Sequence, residues 1–214
     1  MAKKAILSII ICLVILCATQ LSFAQTQLNY TKKELRNNWG IGFTYSESGV
    51  GISSSLFTPI SRSTDLFLNL LISGVSDSRE LERYDIFGNS IIPDKVNRIF
   101  MVPLSIGIKK ELFKDDIEGD FSPVINFGIS PTLVLTNPYD RSFFNAIGYT
   151  RAKFAFGGFG GIGVNFRQSK SMALSVNINY YYIPILGGTV ESIQNNKIKD
   201  VGGFQIAFGL NFLK

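Results

Sequence analysis

The stretch Phe204-Gln205-Ile206-Ala207-Phe208-Gly209-Leu210-Asn211-Phe212 decides the fold. Large apolar side chains occupy every second position, with small or amide residues between them. This is the period of a strand whose two faces meet different surroundings. The same alternation recurs upstream, where Met172, Leu174, Val176, Ile178, Tyr180 and Tyr182 interleave with Ala173, Ser175, Asn177, Asn179 and Tyr181. Phe100, Val102, Leu104, Ile106 and Ile108 interleave with Met101, Pro103, Ser105, Gly107 and Lys109, and Ile125, Phe127 and Ile129 with Asn126, Gly128 and Ser130. Beyond residue 38 no stretch carries the helical period.

Eight such segments follow one another, at about 39–46, 49–58, 64–75, 98–110, 121–135, 152–166, 171–183 and 201–213. An even number of antiparallel strands can close on itself, and most of these reach the roughly 9 to 11 residues that a tilted strand needs to cross a bilayer. Long polar loops follow the third, fifth and seventh strands and short turns follow the second and sixth, which is the asymmetry of a membrane barrel with one long-looped end. The first external loop, around Glu47 to Gly49, is short, and the turn from Glu111 to Asp120 is long and acidic. Pro103 and Pro131 sit inside strands that have no free edge, so a bulge or a broken ladder is expected at each.

A soluble, lipocalin-like ligand-binding barrel would share the strand number and the alternation, with its apolar face turned inward. Here the apolar face is bulky and nearly free of charge, and the other is rich in Gly, Ser, Ala and Asn. Eight strands enclose little room, so the small-residue face belongs inside and the bulky face must meet lipid. Trp39, Tyr180 and Tyr182 then fall at strand ends on the outward face, where an interfacial aromatic girdle is expected.

Composition agrees. Of 214 residues 46% are apolar, 13% aromatic and only 17% charged, below the roughly 25% usual in soluble domains. The chain has no histidine, which excludes Ser-His-Asp hydrolysis and His-based zinc sites. Lys3 and Lys4 precede an apolar run from Ala5 to Cys17, and Ser22-Phe23-Ala24 presents small residues where a signal peptidase reads, so residues 1–24 are expected to be a cleaved signal peptide. Cleavage there removes both cysteines, Cys12 and Cys17, and leaves 19 basic against 16 acidic residues, a net charge of +3. That charge is too small and scattered to argue for nucleic acid. Residues 25–38 read as a polar periplasmic leader and 39–214 as the barrel. The fold class expected is all-β: an eight-stranded antiparallel up-and-down transmembrane β-barrel after a cleaved signal peptide.

On these residues the chain resembles the eight-stranded outer-membrane β-barrel domain family, porin-family proteins of the OmpA and OmpX type from Gram-negative bacteria. Its last strand, with Phe204, Ile206, Phe208, Leu210 and Phe212, looks like the aromatic-ended signal read by barrel-assembly machinery, although Leu213 and Lys214 follow the final aromatic. The resemblance implies an outer-membrane location and lipid as surroundings. It implies no activity, because the family is defined by shape.

Chemical motifs mostly dissolve. Gly158-Phe159-Gly160-Gly161-Ile162-Gly163 matches a dinucleotide fingerprint by letters, but Val164-Asn165-Phe166 continues the strand period where a helix should begin. Asp115, Asp116, Glu118 and Asp120 lack calcium-loop spacing and read as a solvated turn. No catalytic, cofactor or metal residues are expected. Candidate contacts lie in the external loops: Arg79, Glu80, Glu82, Arg83, Tyr84 and Asp85 in the longest, and Tyr139, Asp140, Arg141, Phe143 and Phe144 in the next. The expected role is structural or interactive, as a surface contact or a secretion-accessory scaffold, with a protein, a surface polymer or a secretion component as the loops' partner. A narrow pore is the alternative, opposed by inward Phe67, Leu71, Met101 and Phe159. An enzyme would need unfamiliar groups, such as Asp140 with a nearby Ser or Tyr.

Overall fold

A computed structural model describes residues 37–213, apart from 78, 81–82, 85–89, 114–119 and 170. The signal peptide, all but the last two residues of the leader, Glu82 and Asp85 of the long loop, and Asp115, Asp116 and Glu118 lie outside the described residues.

Eight long strands form one closed antiparallel barrel: β1 (Asn38–Ser46), β2 (Gly49–Ser61), β3 (Thr64–Val75), β4 (Asn97–Glu111), β5 (Phe121–Pro138), β6 (Arg151–Arg167), β7 (Met172–Tyr182) and β8 (Gly203–Phe212). Each pairs with its neighbours in sequence, and β8 closes on β1. Stepping from Tyr182 through paired residues, by Gly158, Ile129, Ile106, Leu68, Leu56, Trp39 and Phe212, returns to β7 at Met172, ten residues lower. Eight strands with that stagger tilt by roughly 40° and leave an interior that side chains can fill.

Parity settles the faces. Phe204 is 56% exposed on the bare chain while its neighbour Gln205 is 5% exposed, and Ile178 and Asn179 differ in the same way. Among the described residues the outward rows of the barrel are apolar or small except near the strand ends, at Arg98 and Lys110 of β4, the two charged residues on outward barrel positions, and at Asn137 of β5 opposite Arg98. Such a wall suits hydrocarbon, since an Arg or Lys at the midplane of a barrel costs about 2–4 kcal/mol. Aromatics bracket it: Trp39 with Phe212 and Phe121 with Phe166 at one end, Tyr45, Tyr180, Tyr182 and Phe204 at the other.

The prolines act as their missing N–H dictates. The β3–β4 ladder skips Leu71–Ile72 opposite Val102–Pro103, and the β4–β5 ladder skips Leu104–Ser105 opposite Ser130–Pro131, in both cases without a change of register. Ser105 and Ser130 place their hydroxyls 3.2 Å apart across the second gap. The one register shift falls elsewhere, between Pro59 and Ser61 of β2, beside the short turn to β3. β2 and β5 each run three residues beyond their expected ends, to Ser61 and Pro138.

Candidate functional site

The glycines at 158–163 lie in the middle of β6, paired to β7 throughout, and no helix follows them. Their purpose is steric. A Cβ on Gly161 would overlap the Asn179 amide oxygen and the Ile178 carbonyl, and one on Gly163 would overlap the Asn177 amide. Small residues on β6 thus admit the amide side chains of β7 into a narrow lumen.

The lumen has two halves. Towards the Trp39 end it is polar: Lys109 donates from Nζ to Asn165 Oδ1 at 2.9 Å, and Nζ lies 5.0 Å from the centre of the Phe57 ring. A cavity of about 80 Å³ lies here, lined by Asn69, Lys109, Asn126, Asn177, Asn179 and Gln205 among others. The buried Oδ1 atoms of Asn126 and Asn179 have no protein partner, as expected where water fills a polar space. Towards the long-loop end Leu71, Met101, Phe159, Tyr181, Ile183 and Val201 form one apolar cluster. The inward Leu71, Met101 and Phe159 are all buried, and Phe67 packs against them, so the expected filling holds for this half.

The first external loop is a two-residue turn, Glu47–Ser48, closed by the Ser46–Gly49 pair with Gly49 at φ 147°. The other three interlock. The fourth loop, residues 183–202, folds back over the mouth: Ile183 caps the lumen, Ile185 bridges Ala155, and Val190–Glu191 pairs with Lys197–Ile198. It also lines the part of β6 that projects past the end of β7, through Phe156 N–H to Pro184 O and Leu186 N–H to Phe154 O.

The second loop is fastened to the fourth by buried polar groups. Glu80 makes a 2.5 Å salt bridge to Lys95 and accepts from the Ser192 hydroxyl, while Asp77 accepts from the Asn196 amide. Backbone bonds from Val96 and Asn97 to Ser192 O continue the tie. The third loop joins through Tyr139, whose ring lies under Lys95 and Arg98 and whose N–H donates to Val96 O.

Among the expected contact residues, Glu80 is therefore spent inside the tie. Arg79, Arg83, Tyr84, Asp140 and Arg141 are exposed, Arg83–Tyr84 in a short ladder with Ser90–Ile91 and Arg141 stacked 3.8 Å over Tyr149. Phe143 opens a helical turn, Phe143–Ala146, and Phe144 is 81% exposed. The residues that reasoning from sequence missed are Lys95, Ser192 and Asn196. The signal available was the apolar residues Ile185, Val190 and Ile198 within a loop expected to be polar, with Ile183 and Val201 at its two ends. Among the described residues no cluster of three metal-ligating groups occurs.

No protein-family model and no curated protein matches the chain. Solved structures do. Neisserial surface protein A aligns over 83% of this chain and 94% of its own length, at 11% identity and a TM-score of 0.52. The N-terminal β-barrel domain of Pseudomonas aeruginosa OprF aligns over 82% and 95%, at 8% identity and a TM-score of 0.49. The OprG outer-membrane protein of the same organism aligns over 84% and 96%, at 10% identity and 0.49. The likeness to the Neisserial protein is one of fold, a closed eight-stranded antiparallel barrel.

Proposed function

We propose that the chain is an integral outer-membrane barrel, exported by its signal peptide, that acts through its external face as a non-catalytic contact surface. The apolar outward wall with its two aromatic belts supports the membrane location. The strand Phe204, Ile206, Phe208, Leu210 and Phe212 serves as the signal for assembly machinery. One observation carries the functional reading: the buried tie of Glu80 with Lys95 and Ser192, and of Asp77 with Asn196, fastens the second loop to the fourth, and Tyr139 joins the third to them, while Arg79, Arg83, Tyr84, Arg141 and Phe144 stay exposed. Loops held in one shape lose less entropy on contact than free ones, and exposed Arg and Tyr are the residue types that dominate interfaces. A protein or a surface polymer is the fitting partner.

The test replaces Arg79 to Lys95 with a short Gly-Ser turn, and in parallel makes the point variant Arg83→Ala/Tyr84→Ala/Phe144→Ala. Both should keep the heat-modifiable gel shift of a folded barrel and lose recovery of material bound by the intact protein on outer membranes. Full recovery by both would remove these loops as the contact surface.

A further inference from the structure

The two cavities of the lumen meet at two side chains. Tyr181 and Gln205 line both the polar chamber of about 80 Å³ and a smaller apolar one of about 10 Å³ bounded by Leu71, Met101 and Ile183. The smaller cavity is also lined by Ser46 and Gly203, at the ends of β1 and β8 beside the two-residue first loop. Tyr181 stacks on Phe159 with ring centroids 4.9 Å apart and planes 21° from parallel, and Phe159 packs on Phe67 at 5.9 Å. These three rings form a single aromatic layer across the barrel.

We infer that this layer, Phe67, Phe159 and Tyr181, is the permeability barrier of the barrel, separating a hydrated half-pore from a short apolar exit beside the first loop. The polar half already has what an ion path requires: about 80 Å³, room for several waters, with buried amide oxygens left for them and a lysine in the wall. The rings interrupt it because Phe67 and Phe159 offer water no hydrogen-bond partner and the stacked faces of Phe159 and Tyr181 fill the passage between the chambers. Gly128, the register partner of Phe159, and Gly107, the partner of both Gly128 and Phe67, leave the space between the two phenylalanine rings free of other side chains, while Phe57 flanks Phe67 at 6.1 Å on the other side. This inference concerns the lumen and stands apart from the contact role of the loops.

The experiment is conductance of the refolded mature chain in planar bilayers in KCl, with the gel shift as folding control. The native chain should show no steps. Phe159→Ala/Tyr181→Ala should show reproducible open steps, and adding Lys109→Gln should lower its chloride preference, because the current then passes the polar chamber. Should the double variant give no heat-modifiable form, Tyr181→Ser and Tyr181→Phe carry the test, the first conducting and the second closed. A folded double variant, or a folded Tyr181→Ser, as tight as the native chain would overturn the assignment. So would a conducting variant whose ion preference ignores Lys109→Gln.

Discussion

Trp39 of the first strand stacks on Phe212 of the last, with ring centroids 4.4 Å apart and planes 22° from parallel, at the seam where β8 closes the barrel on β1. The two residues are also direct register partners, so the final aromatic is positioned by closure itself. An offset pair of this kind contributes about 0.5–1.5 kcal/mol beyond its buried area.

Because Trp39 is the only tryptophan, its emission reports on that seam without interference. In lipid the emission should be blue-shifted and quenched by lipids brominated near the headgroup more than by lipids brominated at the chain end. Phe212→Ala should slow assembly and red-shift the emission, while Leu213→Ala should leave both unchanged.

The loop tie predicts a local loss of order. Glu80→Ala leaves Lys95 without its partner and the Ser192 hydroxyl with one acceptor fewer, a cost of about 1–3 kcal/mol confined to the loops. Limited proteolysis should cut residues 183–202 faster in this variant, and the gel shift should persist. Unchanged cleavage would show that backbone bonds alone hold the loops.

Gly161→Ala should destabilise the barrel by about 1–3 kcal/mol, because the new methyl meets a carbonyl of the neighbouring strand that cannot move without breaking the ladder. Gly148→Ala, where a Cβ would have open space, should be nearly neutral. Urea midpoints in detergent measure both.

The barrel was legible because a strand that meets lipid on one side and a narrow lumen on the other writes its two environments into alternate residues, as Ile206 and Gln205 do. Pro103 and Pro131 were legible for the same local reason, a missing N–H in a closed sheet. The bulge at Pro59 was not, since it sits where β2 nears its turn and an irregular edge there leaves no mark on the alternation. The loop tie was hidden more deeply. Glu80 and Ser192 are 112 positions apart, and Asp77 and Asn196 are 119 apart. In isolation each reads as an ordinary solvated polar residue. The lumen was half legible: Phe67 and Phe159 announce bulk, but which ring stacks on which depends on the ten-residue stagger, and that emerges only once all eight registers are known.

The assignment of faces carries the whole account, and paired substitutions on adjacent strand positions test it most directly. Ile206→Arg and Ile178→Arg should abolish or strongly reduce the heat-modifiable species recovered from outer membranes, at about 2–4 kcal/mol each near the midplane. Gln205→Ser and Asn177→Ser, one residue away and facing the lumen, should leave it near the native level. Equal loss from both pairs, or loss from the serine variants alone, would mean that inside and outside are reversed and that the chain is no membrane barrel.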